Sequence, residues 1–443
     1  MPHQDYGSHQ TERGEKRVVI TGMSVLTTLA DTLEDFHAAL MAGRSGLGFW
    51  NNPLYADGIP SMGGDLFPLD RERRLAVLRQ CLPGDAFRRL RRLEHSTPDS
   101  AAAALFVAAE AFAAAGLFGA ADSRRTGAIL AGHYLYDLYK WANWRAYAAD
   151  PGDMDVSLGV KEVDTDALAC ITDVLGIFGP AYGVGGACAA GNVGIRAAMD
   201  AIRHHGAEVM VVVSGCHELT PASLHSLAQL GAIALDGGEG DPASASRPFD
   251  LNRRGFVPAS GAAALVLESL EQAVARGATP LAEVLGVGMT NSASRGPTPE
   301  EVPMAWAMEQ ALAEAGIDRT AIGYVAAHAT STPLGDLAEA RAMARVFGDH
   351  LQGLKVNALK SMLGHLMASS VLVETVAAVQ QLRSDWLYPN VHIDRPDPDM
   401  GLTLCANRAE PCRVDAIMKN AFGFGGVNTA CVLGRCDAGR IHA

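Results

Sequence analysis

Three side chains in this sequence are of the types that carbon–carbon bond formation on acyl thioesters requires. Cys188 sits in Gly185-Gly186-Ala187-Cys188-Ala189-Ala190-Gly191, among residues too small to cover a thiol. His328 sits in Ala327-His328-Ala329-Thr330-Ser331-Thr332-Pro333, directly after a short apolar run. His365 closes the stretch Lys360-Ser361-Met362-Leu363-Gly364-His365. A thiol at a strand-to-helix turn is accessible, and a helix N-terminus favours its thiolate. Two separate histidines can then serve a thioester oxygen and a carboxylate.

Each residue alone also has a plainer reading. A buried cysteine is usually a small hydrophobe, and a lone histidine is usually a satisfied core residue. Here the small neighbours of Cys188 leave space for an acyl group, and both histidines sit on loops rich in Gly, Ser or Thr. Lys360 and Glu339 are read as a buried ion pair that orients His365, against the default of a solvated pair. His204, His205, His217 and His225 lack comparable surroundings and are read as structural or surface residues. The run Asn420-Ala421-Phe422-Gly423-Phe424-Gly425-Gly426-Val427-Asn428 lacks the Lys-Ser/Thr of a phosphate loop. It reads as a hinge in which Phe424 and Gly425 form a gate and offer a backbone N–H to an oxyanion.

The elements that must position these groups alternate between strand and helix. Arg17–Gly22, Thr126–Leu130, Ala181–Ala187, Val209–Ser214 and Gly261–Glu268 read as strands, with helices at Thr32–Ala42 (capped by Asp31), Asp99–Leu117 and Cys188–His205. Leu281–Val287, Tyr324–Ala327, Ile417–Asn420 and Thr429–Leu433 repeat the strand pattern. Helices are read at Pro299–Ala315, Asp336–Phe347 and Val371–Leu382. Asn51–Arg92 reads as an irregular insertion and Trp141–Val163 as an aromatic loop. Within that loop, Trp141, Trp144 and Tyr147 either shape an acyl or partner surface or simply pack. The expected class is α/β, divided into a polar tail (1–15), a first half bearing the cysteine (16–270), a second half bearing the histidines (271–437) and a tail (438–443).

The chain has 443 residues, of which 49% are hydrophobic and 19% charged, as in globular enzymes. A net charge of -13 argues against nucleic acid as a partner. No CxxC occurs among the eight cysteines, which disfavours a zinc site and fits free thiols in a reducing cytoplasm. No apolar stretch reaches membrane-spanning length.

With these elements in this order, the sequence resembles the elongating β-ketoacyl-acyl carrier protein synthases of the thiolase superfamily. The likeness runs from Arg17 to Leu433 and includes Arg247-Pro248-Phe249-Asp250 and Arg254-Gly255-Phe256-Val257. The resemblance implies a five-layered αβαβα fold of two similar halves. It implies that Cys188 takes an acyl chain from a carrier protein, and that His328 and His365 assist decarboxylation of a malonyl-type carrier thioester. Backbone N–H groups of Cys188 and Phe424 would form the oxyanion hole, while Lys360 and Glu339 would support His365. No metal or organic cofactor is implied, because the phosphopantetheine arm belongs to the carrier protein. A homodimer is expected, with a heterodimer as the alternative. The acidic carrier would need a basic patch, to which Arg88, Arg89, Arg91 and Arg92 are the contributors considered.

The likeness is imperfect. Ala329 stands where a Gly is usual, Val427 where a Thr is usual, and Ala-Gly-Asn follows Cys188. That last feature resembles the malonyl-carrier decarboxylases of polyketide β-branching, which carry Ser where this chain has Cys188. The retained cysteine favours condensation. A chain-length partner or an idle carrier-binding scaffold are weaker rivals, since the former usually lose the cysteine.

Overall fold

The computed structural model describes residues 8, 10–11, 14–50, 54–55, 60–235, 240–296 and 298–436. The tail at 438–443, and most of that at 1–15, lies outside the described residues. Five strands form the first half: β1 (Val18–Thr27), β2 (Thr126–Ala131), β3 (Ala181–Val184), β4 (Val209–Ser214) and β5 (Gly261–Ser269). Five more form the matching part of the second, β6 (Ala282–Asn291), β7 (Ile322–Ala326), β8 (Lys355–Asn357), β9 (Ala416–Gly423) and β10 (Val427–Gly434), and a short eleventh strand, Thr403–Leu404, pairs with the outer edge of β8.

The two sets have one topology. From the centre outward the first half runs β1-β5-β4-β2-β3 and the second β6-β10-β9-β7-β8. In both, the two inner pairings are antiparallel and the two outer ones parallel. Val18–Ile20 pairs with Ala282–Val284 and joins the halves. A duplicated unit is thus visible in strand order where no repeat is visible in sequence.

The layers follow from helix placement. Helix α1 (Asp99–Ala114) covers β1, β4 and β5, and α3 (Glu301–Ala315) covers β6 and β10. Both come close at glycine. A Cβ on Gly22 would lie 2.4 Å from the carbonyl oxygen of Ala111, and one on Gly286 2.5 Å from that of Ala311. Helices α2 (Ala190–His204) and α5 (Ser370–Ser384) touch each other and strands of both halves, which makes them the middle layer. Helix α4 (Pro333–Phe347) lies against α3. Such double coverage explains why β2, β4 and β5 are buried throughout and read as continuous apolar runs.

Local readings needed correction in three places. Thr32, not Asp31, caps the helix Leu33–Met41, because its hydroxyl accepts the Asp35 N–H while Asp31 pairs with Arg73. The stretch read as an irregular insertion contains two helices, Arg71–Cys81 and Gly84–Glu94. Trp141, Trp144 and Tyr147 belong to a helix, Asp137–Ala149, not a loop. Among the described residues, no helix is long and apolar enough to cross a membrane.

Candidate active site

The duplicated topology places the reactive groups on corresponding connections of the two halves. Cys188 follows the third strand of the first half and leads into α2. His365 follows the third strand of the second half and leads into α5. Cys188 is the middle residue of a single 3₁₀ turn, Ala187–Ala189, and His365 stands two residues before another, Met367–Ser369; the first residue of each turn has positive φ (+48° at Ala187, +52° at Met367). These strained turns aim side chains from both halves inward. Cys188 therefore precedes α2 by one turn and does not open it.

His365 Nε2 lies 3.1 Å from Cys188 Sγ. The other side of the ring sets its tautomer. The Met367 N–H donates to His365 Nδ1 at 3.2 Å, and Ser370 Oγ lies 3.0 Å from the same nitrogen. A nitrogen that accepts a backbone N–H carries no proton, so the proton sits on Nε2 and points at the sulfur. His328 is 5.7 Å from His365, ring to ring and edge-on, and Phe422 flanks it at 5.7 Å. Burial, reinforced by the nearby Lys360 cation, holds both histidines well below the usual histidine range. They are neutral donors at physiological pH.

The thiol departs from the sequence reading. Burial pushes Cys188 up to about 11, against Lys360 and the N–H groups of Cys188 and Phe424, which pull it down. Desolvation wins over the helix terminus, so the resting group is a thiol. Its partial exposure opens onto a cavity of about 780 Å³, lined also by His328, His365 and Phe424. The backbone N–H groups of Cys188 and Phe424 both act on the sulfur. Gly423 permits this approach, since a Cβ there would lie 2.4 Å from the Gly186 carbonyl oxygen. Gly425 has φ +84° and serves the turn between β9 and β10 rather than the cavity wall.

Lys360 and Glu339 do not pair. Lys360 Nζ contacts Glu374 at 2.7 Å, and Lys419 Nζ contacts the same carboxylate at 2.7 Å. Glu339 instead accepts the N–H groups of His328 (2.9 Å) and Ala329 (2.7 Å) and the Asn420 side-chain amide (3.0 Å). It fixes the His328 loop, not His365. The expectation failed because helix α5 presents a nearer carboxylate. Lys419, Asn420, Glu374 and Ser370 were missed, although a charged residue inside an apolar strand or helix was a readable signal at Lys419 and Glu374. His217, read as structural or surface, lines the cavity with His133 and Tyr134.

Other expected contributors lie elsewhere. Arg89, Arg91 and Arg92 are engaged by Asp85, Glu94 and Asp173, and none lines the cavity. Trp144 and Tyr147 are exposed, and Arg145 stacks over Trp141 at 4.6 Å. None of these aromatics reaches the cavity.

Comparison with known proteins agrees with this arrangement. Residues 15–273 match the family model of the beta-ketoacyl synthase N-terminal domain, and residues 281–394 that of its C-terminal domain. A 3-oxoacyl-[acyl-carrier-protein] synthase 2 of Synechocystis is 31% identical over 94% of this chain and 97% of its own length. The chloroplastic 3-oxoacyl-[acyl-carrier-protein] synthase II of Arabidopsis thaliana is 40% identical over 58% of this chain. That alignment spans only 48% of the Arabidopsis protein, so this chain covers about half of that relative. A solved complex of a type II PKS acyl-carrier protein with its ketosynthase bound to the hexaketide matches with a TM-score of 0.83, at 25% identity, over 95% of this chain and 100% of that one. Both domain models fall in order along a fold whose halves bring one thiol and two imidazoles together, and the chain is accordingly a member of the β-ketoacyl synthase family.

Proposed function

We propose that the protein catalyses decarboxylative condensation of an acyl group held on Cys188 with a malonyl-type carrier thioester. The observation that carries this is the approach of His365 Nε2–H and two backbone N–H groups to one cavity-facing sulfur. Cys188 Sγ attacks the acyl carrier thioester, and the carrier thiol leaves with the proton, so no net base is consumed. The malonyl thioester then enters. His328 and His365 donate to its carbonyl oxygen as carbon dioxide departs, which stabilises the enolate. The enolate carbon attacks the acyl-Cys188 carbonyl, and the N–H groups of Cys188 and Phe424 hold the oxyanion. Collapse breaks the carbon–sulfur bond, releases the β-ketoacyl thioester and expels Cys188 as a thiolate, which takes up one proton from water to restore the resting thiol. This sequence of steps uses no metal or organic cofactor, and the phosphopantetheine arm arrives with the carrier.

Several features support the partners and setting. The solved complex that shares this fold contains an acyl-carrier protein. All eight cysteines are free, in keeping with a reducing cytoplasm. β3 is the outermost strand of its half and carries Tyr182, 40% exposed, with Phe178, 80% exposed, just before it. An open apolar edge of this kind suits pairing with a second copy. Light scattering should give the mass of two chains, and Phe178→Asp with Tyr182→Glu should give one. A monomeric unmodified protein would remove the homodimer.

Intact-protein mass spectrometry with acyl- and malonyl-carrier substrates tests the activity. The expected result is an acyl adduct on Cys188 and a carrier product longer by two carbons. Conversion of malonyl- to acetyl-carrier alone would mark a decarboxylase instead.

A further inference from the structure

The cavity beside Cys188 carries three polar rings that the condensation steps leave unused. Tyr134 and His217 lie 5.2 Å apart between ring centroids, and His133 lies 5.7 Å from Tyr134. All three line the cavity that holds Cys188. They come from the ends of β2 and β4 in the first half, whereas His328 and Phe422 come from the second. Cys188 and His365 meet where the halves join.

Local backbone is committed to this arrangement. Tyr134 has φ +67°, which a bulky residue rarely adopts. The His133 ring occupies space that only glycine leaves free, because a Cβ on Gly185 would lie 2.6 Å from its Nε2. No group among the described residues hydrogen-bonds to the His217 ring. Burial pushes His217 down to about 4, with Asp137 acting upward and His133 downward. The ring is neutral and offers one N–H donor and one bare nitrogen. It also lies near enough to His365 to bear on that ring's charge.

We propose that these rings form the wall of the acyl-chain subsite and that they select an oxygenated chain. His217 and Tyr134 would hydrogen-bond a keto or hydroxyl oxygen on the acyl group, in preference to a saturated chain of equal length. This rests on the condensing activity proposed above. A saturated chain strips water from an imidazole and a phenol and returns nothing to them. A keto oxygen accepts from His217 N–H or Tyr134 O–H, and a hydroxyl can also donate to the bare nitrogen. Sites built to hydrogen-bond a substrate oxygen discriminate far more strongly than apolar pockets do.

The test uses pantetheine thioesters, which need no cognate carrier. Hexanoyl, 3-hydroxyhexanoyl, 3-oxohexanoyl and 5-oxohexanoyl pantetheine are each given to the full-length protein, and adduct formation on Cys188 is timed by intact mass spectrometry. At least one oxygenated chain should load about tenfold faster than hexanoyl. His217→Leu should bring the ratio of oxygenated to hexanoyl loading down toward one, whatever it does to either rate alone. Tyr134→Phe should lower that ratio. The ratio of rates within one preparation cancels any loss of folded enzyme. Hexanoyl loading as fast as all three, or a preference that survives both substitutions, would overturn the proposal alone. Loading of none would overturn the condensing activity with it.

Discussion

Cys188→Ala is expected to lower condensation by at least about 10⁴-fold, the scale on which removing a nucleophile acts. No acyl adduct should form, because no other thiol faces the cavity. Malonyl decarboxylation should persist. His328 and His365 stay in place, with the Met367 N–H still holding the Nε2–H tautomer of His365 and Glu339 still holding the His328 loop. Elongation by the variant would show that Cys188 is not the nucleophile. In the unmodified protein, pH dependence gives a second check. Because burial holds the thiol up to about 11, its thiolate fraction should rise tenfold per pH unit through neutrality. Alkylation of Cys188 by iodoacetamide should follow that slope up to about pH 10. A plateau near pH 8 would mean that the converging N–H groups and Lys360 outweigh desolvation.

Glu374→Gln should cost about 3–5 kcal/mol of stability, the range for breaking a buried ion pair from one side. Glu374 pairs with two lysines at once, each 2.7 Å away, and Lys360 and Lys419 are 1% and 0% exposed. Glutamine keeps the shape but leaves both ammonium groups in a dry interior. Burial already holds Lys419 below the usual lysine range even with Glu374 present. The expected readout is a lower denaturant midpoint with an unchanged slope. Replacing Glu374, Lys360 and Lys419 together by apolar residues should recover much of the loss, since no unpaired charge then remains. A single substitution that costs less than about 1 kcal/mol would show that water reaches the triad.

What was legible in the sequence was the chemistry that short range dictates. Apolar runs located the strands, and small residues around Cys188 marked space beside a thiol. Loops ending in His328 and His365 marked two reactive ends. Partnership was not legible where it joins distant segments. Lys360 has two buried carboxylates within reach of the same region, 21 residues before it at Glu339 and 14 after it at Glu374, and only packing of α5 against β9 decides between them. His217 looked bland because its neighbours in sequence, Cys216 and Glu218, mark no site by themselves, and only the path of β2 brings Tyr134 to face it.

The sequence by itself determined which groups exist and which local turns present them. The turns at Ala187 and Met367 and the glycine at 423 are properties of short segments. Tertiary structure decided their protonation and their company. The Cys188 sulfur is a thiol rather than a thiolate because the protein packed around it from both halves removes water from it, and desolvation is a property of the surrounding volume rather than of adjacent residues. The repeat of the two halves likewise appears only in the order of paired strands, because hydrogen-bonded pairing conserves topology without requiring any particular side chain.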